Sequence, residues 1–149
     1  MKTGAAGIAL VEEFESCLLT AYRDGNGIWT IGWGHTGGVN EGDTATQDQA
    51  DAWLADDLGT AESAVSRLIA ASLNQNQFDA LVSFTYNVGS GRLQGSTLRR
   101  MLNAEDYEGA AQQFLFWDIV AGHVSLGLQR RRQKEKALFE TAVAEPENV

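Results

Sequence analysis

The sequence predicts an α+β fold in which a small β-containing lobe sits beside a larger helical lobe, the two joined by a long helix with a groove between them. Three observations carry that prediction. Seven glycines crowd the stretch from Gly25 to Gly42, next to β-branched and aromatic residues that suit short strands and tight turns. From Thr46 onward, apolar residues recur at helical spacing. A chain of 149 residues, 44% hydrophobic and with one proline, is long enough to bury a sizeable core and too short for several domains.

Taken in order, Ile8, Val11 and Phe14 fall three apart with Leu10 beside them, which predicts a short amphipathic helix opening near Thr3 and ending at Glu15. Leu18 to Tyr22 reads as a strand, Asp24-Gly25-Asn26-Gly27 as a tight turn, and Ile28 to Ile31 as the returning strand of a hairpin. Strands send alternate residues to opposite faces, so Trp29 and Thr30 are expected on different sides. Thr46-Gln47-Asp48-Gln49 has the form of a capping box, and Trp53, Leu54, Leu58, Val65, Leu68 and Ile69 continue a long helix that Gly59 is placed to bend. Asn74-Gln75-Asn76-Gln77 is a second capping box, leading a buried helix through Phe78, Leu81, Val82 and Thr85 to a left-handed cap at Gly89. Ser96, Asp106 and Ser125 are set to cap three more helices, the last running through Ala142. The second half therefore reads as entirely helical, with a frayed tail over 144–149. Residues 1–149 form one domain on this reading, its β-containing lobe over approximately 13–60 and its helical lobe over 1–12 and 61–143.

Twenty acidic and eleven basic side chains give a formal charge of -9, which disfavours binding to phosphate backbones, so nucleic acid is not an expected partner. Eight of the bases lie between Arg92 and Lys136, including the run Arg130-Arg131-Arg132 with Lys134 and Lys136; an anionic polymer would be drawn there if anywhere. Cys17 is the only cysteine and cannot close an intramolecular disulfide, which fits synthesis in a reducing cytoplasm. The apolar run from Ala5 to Val11 is far short of the ~20 residues a membrane span requires, and no membrane anchor is expected. Two histidines and one cysteine leave little for a metal site, and no long unpaired apolar stripe asks for a second subunit, so a monomer is expected.

Glu15 at a helix end, Asp24 at a hairpin turn and Thr30 on the returning strand would bring two carboxylates and a hydroxyl around one mouth. Glycoside hydrolysis needs such a pair, one carboxyl protonated to donate to the leaving oxygen and the other ionised to activate water or stabilise positive charge. Solvated surface carboxylates are the competing reading.

At these residues the sequence resembles a known family. The runs Phe14-Glu15-Ser16-Cys17-Leu18-Leu19-Thr20-Ala21-Tyr22-Arg23-Asp24 and Trp29-Thr30-Ile31-Gly32-Trp33-Gly34-His35-Thr36 are similar to the signature of phage-type lysozymes, the endolysins of glycoside hydrolase family twenty-four. The family spacing of Glu, eight residues, Asp, five residues, Thr is met by Glu15, Asp24 and Thr30. The resemblance continues through Ala80 to Gly89, Ser96-Thr97-Leu98, Leu102-Asn103, Trp117, Gly127-Leu128, Arg131, Arg132 and Glu135.

That resemblance implies a lysozyme-like fold and a muramidase that hydrolyses the β-1,4 bond between N-acetylmuramic acid and N-acetylglucosamine of the peptidoglycan glycan strand, without a cofactor. Glu15 would be the general acid, Asp24 the second carboxylate and Thr30 the hydroxyl that positions water, with inversion at the anomeric centre. Partial burial in a cleft would favour the protonated Glu15 that this role requires. An arginine of the last helix, Arg131 or Arg132, would lie near Glu15 and act the other way; pairing of both arginines with Glu135 as a fastening between lobes is the alternative. Tyr86, Asn87, Gly34 and His35 would line the substrate cleft, His35 in a structural pair with an acid of the long helix, for which Asp57 is the candidate. Core packing competes for Tyr86.

Ser16 departs from the family, which usually has glycine there, and the charge is low for an enzyme acting on an anionic wall. With no wall-binding domain or apolar anchor apparent, such an endolysin would be made in the host cytoplasm, act on the wall from the periplasm and depend on a separate membrane-permeabilising protein. A lytic transglycosylase, which needs one acid and no water, is the enzymatic rival, and Asp24 and Thr30 argue against it. A silent glycan-binding module on the same fold is the rival from another class. Gly32-Trp33-Gly34-His35-Thr36-Gly37 matches the dinucleotide-binding fingerprint in letters only, because no helix opens directly behind it.

Overall fold

The computed structural model describes residues 1–143. At its centre runs α3 (Gln75–Val88), in which every residue from Phe78 to Thr85 is buried. Phe78, Ala80, Leu81, Val82 and Phe84 face all directions, the pattern of a helix enclosed on every side. Asn74 and Gln77 form the reciprocal capping box at its start. Packed against it are α1 (Ala5–Phe14), α2 (Gln47–Leu68) and α7 (Leu126–Glu140). Three short helices, α4 (Ser90–Gln94), α5 (Thr97–Asn103) and α6 (Tyr107–Gln113), complete the lobe, with Ser96, Asp106 and Ser125 capping α5, α6 and α7.

Helix α1 is docked by its N-terminus. Its first amide groups have no partner within the helix, and Gly4 has no side chain to cap them. Asp79 of α3 supplies both acceptors, Oδ1 taking the Gly4 N–H at 2.9 Å and Oδ2 the Gly7 N–H at 3.2 Å. Glu62 of α2 accepts from both the N–H and the hydroxyl of Thr3 at 2.6 Å. The approach is close enough that a Cβ on Gly7 would come within 2.8 Å of the Asp79 Cβ. The buried face is Gly7, Leu10 and Val11, whereas Ile8, which the spacing placed inside, is 37% exposed. The helix turned toward Asp79 rather than toward its bulkiest stripe.

In the β lobe, β1 (Leu18–Arg23) and β2 (Trp29–Gly32) pair antiparallel, Tyr22 opposite Thr30 and Arg23 opposite Trp29. The free edge of β1 is covered by residues 43–45 through Ala21 N–H to Asp43 C=O and Ala45 N–H to Leu19 C=O. Helix α2 leaves this lobe and enters the helical one without a break at Gly59. Its cap is half of the expected box: the Thr46 hydroxyl accepts from the Gln49 N–H, and the reciprocal bond is absent among the described residues.

The second half is not all helical. After a 3-10 turn at Phe114–Phe116, β3 (Ile119–Val120) and β4 (His123–Val124) form a second hairpin around Ala121 and Gly122, both at positive φ (51° and 81°). That is the backbone of the tight hairpin turns, and a non-glycine residue at its first position hides the usual turn signal. Gly89 also differs from the expected left-handed cap, since its φ of 95° and ψ of 154° keep the chain extended in a region open almost only to glycine before α4 begins. Helix α7 stops at Glu140 rather than Ala142. The expected frayed tail, 144–149, lies outside the described residues.

Candidate active site

Glu15 is the residue at which α1 ends, in extended backbone conformation, its side chain 24% exposed. Because α1 is fixed at its other end by Asp79 and Glu62, the carboxyl is carried to one place at the junction of the lobes. Oε1 accepts a 2.9 Å hydrogen bond from Arg131 Nη1. Oε2 faces the backbone of Gly34, where an added Cβ would lie 3.3 Å from Oε2 and 3.5 Å from the Tyr86 hydroxyl. With φ at +95° Gly34 is a glycine for two reasons, backbone conformation and the space the carboxyl occupies.

Behind Glu15 lies a buried ionic cluster. Arg131 directs Nε to Glu135 Oε2 at 3.3 Å and Nη2 to the Ser83 carbonyl at 3.1 Å, leaving Nη1 for Glu15. The Ser83 hydroxyl donates to Glu135 Oε2 at 2.6 Å. Arg132 donates to Glu135 Oε1, to Asn87 Oδ1 and, at 2.8 Å, to the Trp117 carbonyl. Glu135 is wholly buried and both arginines nearly so. Burial pushes the Arg132 guanidinium below its ordinary value, against the pull of Glu135. The two arginines are therefore not equivalent: Arg131 bridges Glu135 and Glu15, while Arg132 ties Glu135 to Asn87 and the Trp117 backbone.

The hairpin carries the two other residues expected at the site. Asp24 Oδ1 accepts from the N–H groups of Asn26 and Ile28 at 2.8 and 2.9 Å, so this carboxylate is fastened by the turn it begins; its Oδ2 makes no hydrogen bond among the described residues. Thr30 is 4% exposed and donates to the Ile28 carbonyl at 2.9 Å, which leaves its lone pairs as acceptors. Directly opposed residues of an antiparallel pair share a face, so Tyr22 stands beside Thr30 while Arg23 lies over the Trp29 ring on the other side, 4.8 Å from its centroid. The Tyr22 phenol is raised above its ordinary value, first by burial and then by the negative charges of Glu15 and Asp24, which puts it in electrostatic reach of both.

Between the lobes is a cavity of about 450 Å³ lined by Glu15, Gly34, Thr36, Asp57, Thr60, Ala61, Thr85, Tyr86, Asn87, Gly89 and Ser90. Gly34, Tyr86 and Asn87 are thus brought to the same space as Glu15. Asp24, Thr30 and His35 are not among its lining residues. His35 stands behind the wall: Nδ1 meets Asp57 Oδ2 at 2.8 Å, Nε2 meets the Gly37 carbonyl at 3.0 Å, and the ring stacks on Trp53 at 4.7 Å. Tyr86 donates to the Trp33 carbonyl at 2.9 Å and so joins α3 to the β lobe. Burial, then the charges of Glu15 and Asp57, push its phenol far up. Asn87, with its oxygen on Arg132, keeps its amide hydrogens for the cavity.

Sequence reasoning missed four hydroxyl residues of the lining, Thr36, Thr60, Thr85 and Ser90. Among the described residues, Thr85 Oγ1 is a buried polar atom with no hydrogen-bond partner. No local signal marks these positions, since each reaches the cavity only because α2, α3 and the β lobe converge. The basic run is largely taken up in three dimensions: Arg131 and Arg132 are buried in the cluster, Lys134 pairs with Glu13 and Lys136 with Glu140, while Arg130 is exposed. Among the described residues, no group of His, Cys, Asp and Glu is arranged to hold a metal ion.

Known proteins share this architecture. An endolysin of Acyrthosiphon pisum secondary endosymbiont phage 1 is 40% identical over 146 residues, covering 95% of this chain and all of the relative. An endolysin of Bacillus phage B103 is 40% identical over 152 residues, spanning all of this chain but 57% of that longer protein. The solved muramidase domain of SpmX from Asticaccaulis excentricus superposes with a TM-score of 0.90 at 39% identity, covering 95% of this chain and 99% of that one. The family profile described as phage lysozyme matches residues 12–135, a span that holds Glu15, Asp24, Thr30, Arg131 and Glu135. The chain belongs to the phage lysozyme family and is a glycoside hydrolase acting on peptidoglycan.

Proposed function

We propose that the chain is a muramidase, cleaving the β-1,4 bond between N-acetylmuramic acid and N-acetylglucosamine, with Glu15 as general acid, Asp24 as second carboxylate and Thr30 as the water-positioning hydroxyl. The observation that carries this reading is the Glu15 carboxyl, held by Arg131 through one oxygen while the other faces Gly34 at the edge of an interlobe cavity. A proton on Oε2 would be delivered to the glycosidic oxygen, so that the N-acetylglucosamine side leaves as a neutral alcohol and not as an alkoxide. Positive charge then develops at the muramic acid anomeric carbon, and the free Oδ2 of Asp24 is the anion available to it. Thr30, with its own proton committed to Ile28, accepts a hydrogen bond from the attacking water and turns a lone pair toward the sugar. Asp24 takes the water's proton as the water attacks from the face opposite the leaving oxygen, which forms the new C–O bond and inverts the anomeric centre.

Tyr86, Asn87 and Gly34 contact the sugars, and the threonines of the cavity meet their hydroxyl and acetamido groups. His35 supports the wall through Asp57 instead of touching substrate. The chain acts as a monomer on the wall after a separate protein has opened the membrane. No helix among the described residues is long and apolar enough to cross a membrane.

The test is digestion of purified peptidoglycan by the wild type beside Glu15→Gln, with mass analysis of the soluble products. Reducing-end muramic acid made by the wild type alone is the expected result. Anhydro-muramic products would assign a transglycosylase, and binding without cleavage by the folded wild type would assign a glycan-binding module.

A further inference from the structure

The mechanism asks two things of Glu15 that conflict. It must carry a proton when substrate binds, yet its Oε1 accepts a hydrogen bond from a guanidinium, the usual partner of a carboxylate without its proton. The groups facing Glu15 are Arg131 from α7, Tyr86 from α3, Tyr22 from β1 with Asp24 beyond it, and Asp57 with its partner His35 from the far wall of the cavity. Of these Arg131 is the one positive charge in direct contact, so whatever restrains Arg131 governs the acid.

Arg131 is restrained from behind. A free guanidinium meets a carboxylate with two parallel N–H groups, the stronger arrangement. Here that fork is unavailable to Glu15, because Nε is taken by Glu135 and Nη2 by the carbonyl and hydroxyl of Ser83. Only Nη1 remains. Glu135 is 0% exposed, has the Ser83 hydroxyl on Oε2 and Arg132 on Oε1, and so stays fixed as a buried anion. With Glu15 protonated, the cluster Arg131, Arg132 and Glu135 carries one net positive charge; without the Glu135 charge it would carry two, both drawing on the proton of Glu15.

We propose that Glu135 is a positioning residue for the general acid: it limits Arg131 to a single hydrogen bond with Glu15 and offsets its charge, so that Glu15 is oriented without being stripped of its proton. This rests on the reading of Glu15 as general acid. The motif Arg131-Arg132-Gln133-Lys134-Glu135 thereby gains a purpose beyond fastening: two carboxylates share one guanidinium, Glu135 through Nε at 3.3 Å and Glu15 through Nη1 at 2.9 Å.

Two variants test this with opposite signs. Glu135→Gln keeps the shape of the side chain and removes its charge, so Arg131 turns fully to Glu15. Ser83→Ala removes the 2.6 Å donor from Glu135, which then draws harder on Arg131 and releases Glu15; the longer 3.4 Å bond from Arg131 Nη2 to the hydroxyl is lost with it, but the Ser83 carbonyl still holds Nη2 at 3.1 Å. The measurement is the pH titration of the Glu15 carboxyl by carbon-13 NMR, alongside the pH profile of peptidoglycan hydrolysis. In Glu135→Gln the Glu15 transition and the alkaline loss of activity are expected to move together to lower pH. In Ser83→Ala both move to higher pH, by less. A folded Glu135→Gln protein whose transition matches the wild type, with activity reduced equally at every pH, would overturn the proposal and leave Glu135 as a structural pillar. If that variant does not fold, an unmoved or lowered transition in Ser83→Ala overturns it instead. A Glu15→Gln protein that still hydrolyses peptidoglycan overturns the acid assignment itself, and the proposal with it, whatever the titration gives.

Discussion

The two walls of the site are built on different principles. On the hairpin wall, the residues proposed for catalysis are held by their own neighbours: Asp24 by the amides two and four residues on, Thr30 by the carbonyl two residues back. On the helical wall, the groups are held across the chain, with Glu15 and Arg131 separated by 116 residues and Ser83 and Glu135 by 52. The hairpin wall is a local structure that any correct turn reproduces. The helical wall exists only when α1, α3 and α7 are docked together, so positions there serve chemistry and stability at once.

Substitutions at Glu15 and behind it separate those two duties. Glu15→Gln keeps an oxygen for Arg131 while removing the proton to be donated; hydrolysis is expected to fall by about 10³-fold or more with thermal unfolding little changed, measured as reducing ends released per minute. Arg131→Met reverses the emphasis. It removes one of the two arginines that neutralise Glu135, and urea unfolding is expected to show a loss of about 3–5 kcal/mol. A smaller loss would mean that Arg132 and Ser83 alone satisfy Glu135, and the helical wall would be less cooperative than described.

The docking of α1 is the next point of attack. Gly7→Ala places a methyl group against Asp79 and Thr3 and is expected to destabilise by about 1–3 kcal/mol, where an ordinary solvent-facing helix position would gain from alanine. The interlobe bond of Tyr86 gives a pH signature. Its phenol is raised in the folded state, so its contribution is fully present below about pH 10 and is lost as pH rises further, with a slope of at most about 1.4 kcal/mol per pH unit, the limit for one proton. Tyr86→Phe should therefore cost about 1 kcal/mol near neutrality through the lost bond to Trp33 and flatten the alkaline slope, leaving what Tyr22 contributes. Least of all, Lys134→Ala breaks an exposed pair with Glu13 on the same helix as Arg131, and a change below about 1 kcal/mol is expected.

The same division explains what was legible in the sequence. Asn74 with Gln77, Ser96, Asp106, Ser125 and the Asp24 turn are short-range devices, and each starts an element where its spacing says it should. The second hairpin escaped because Ala121 occupies a positive-φ position usually marked by glycine, asparagine or aspartate. The buried face of α1 escaped because a hydrogen-bonding partner 72 residues away, Asp79, outweighed the apolar stripe. At the site, the resemblance named Glu15, Asp24 and Thr30 but left Arg131 and Arg132 undivided. Their roles are set by the rotation of α7: successive residues point about 100° apart, so one guanidinium meets Ser83 and Glu15 while the next meets Asn87 and Trp117. No count of charges along the chain contains that angle.

The anchoring of α1 at Gly4 and Gly7 makes the helix a lever. Ten residues at 1.5 Å each put about 15 Å between the clamp on Asp79 and the carboxyl at the other end, so a small tilt at the clamp becomes a displacement of the Glu15 carboxyl. Such a lever fails by pivoting before anything melts. On warming, peptidoglycan cleavage should fade at temperatures where the circular dichroism is still native, and strengthening the clamp should widen the working range without touching the chemistry.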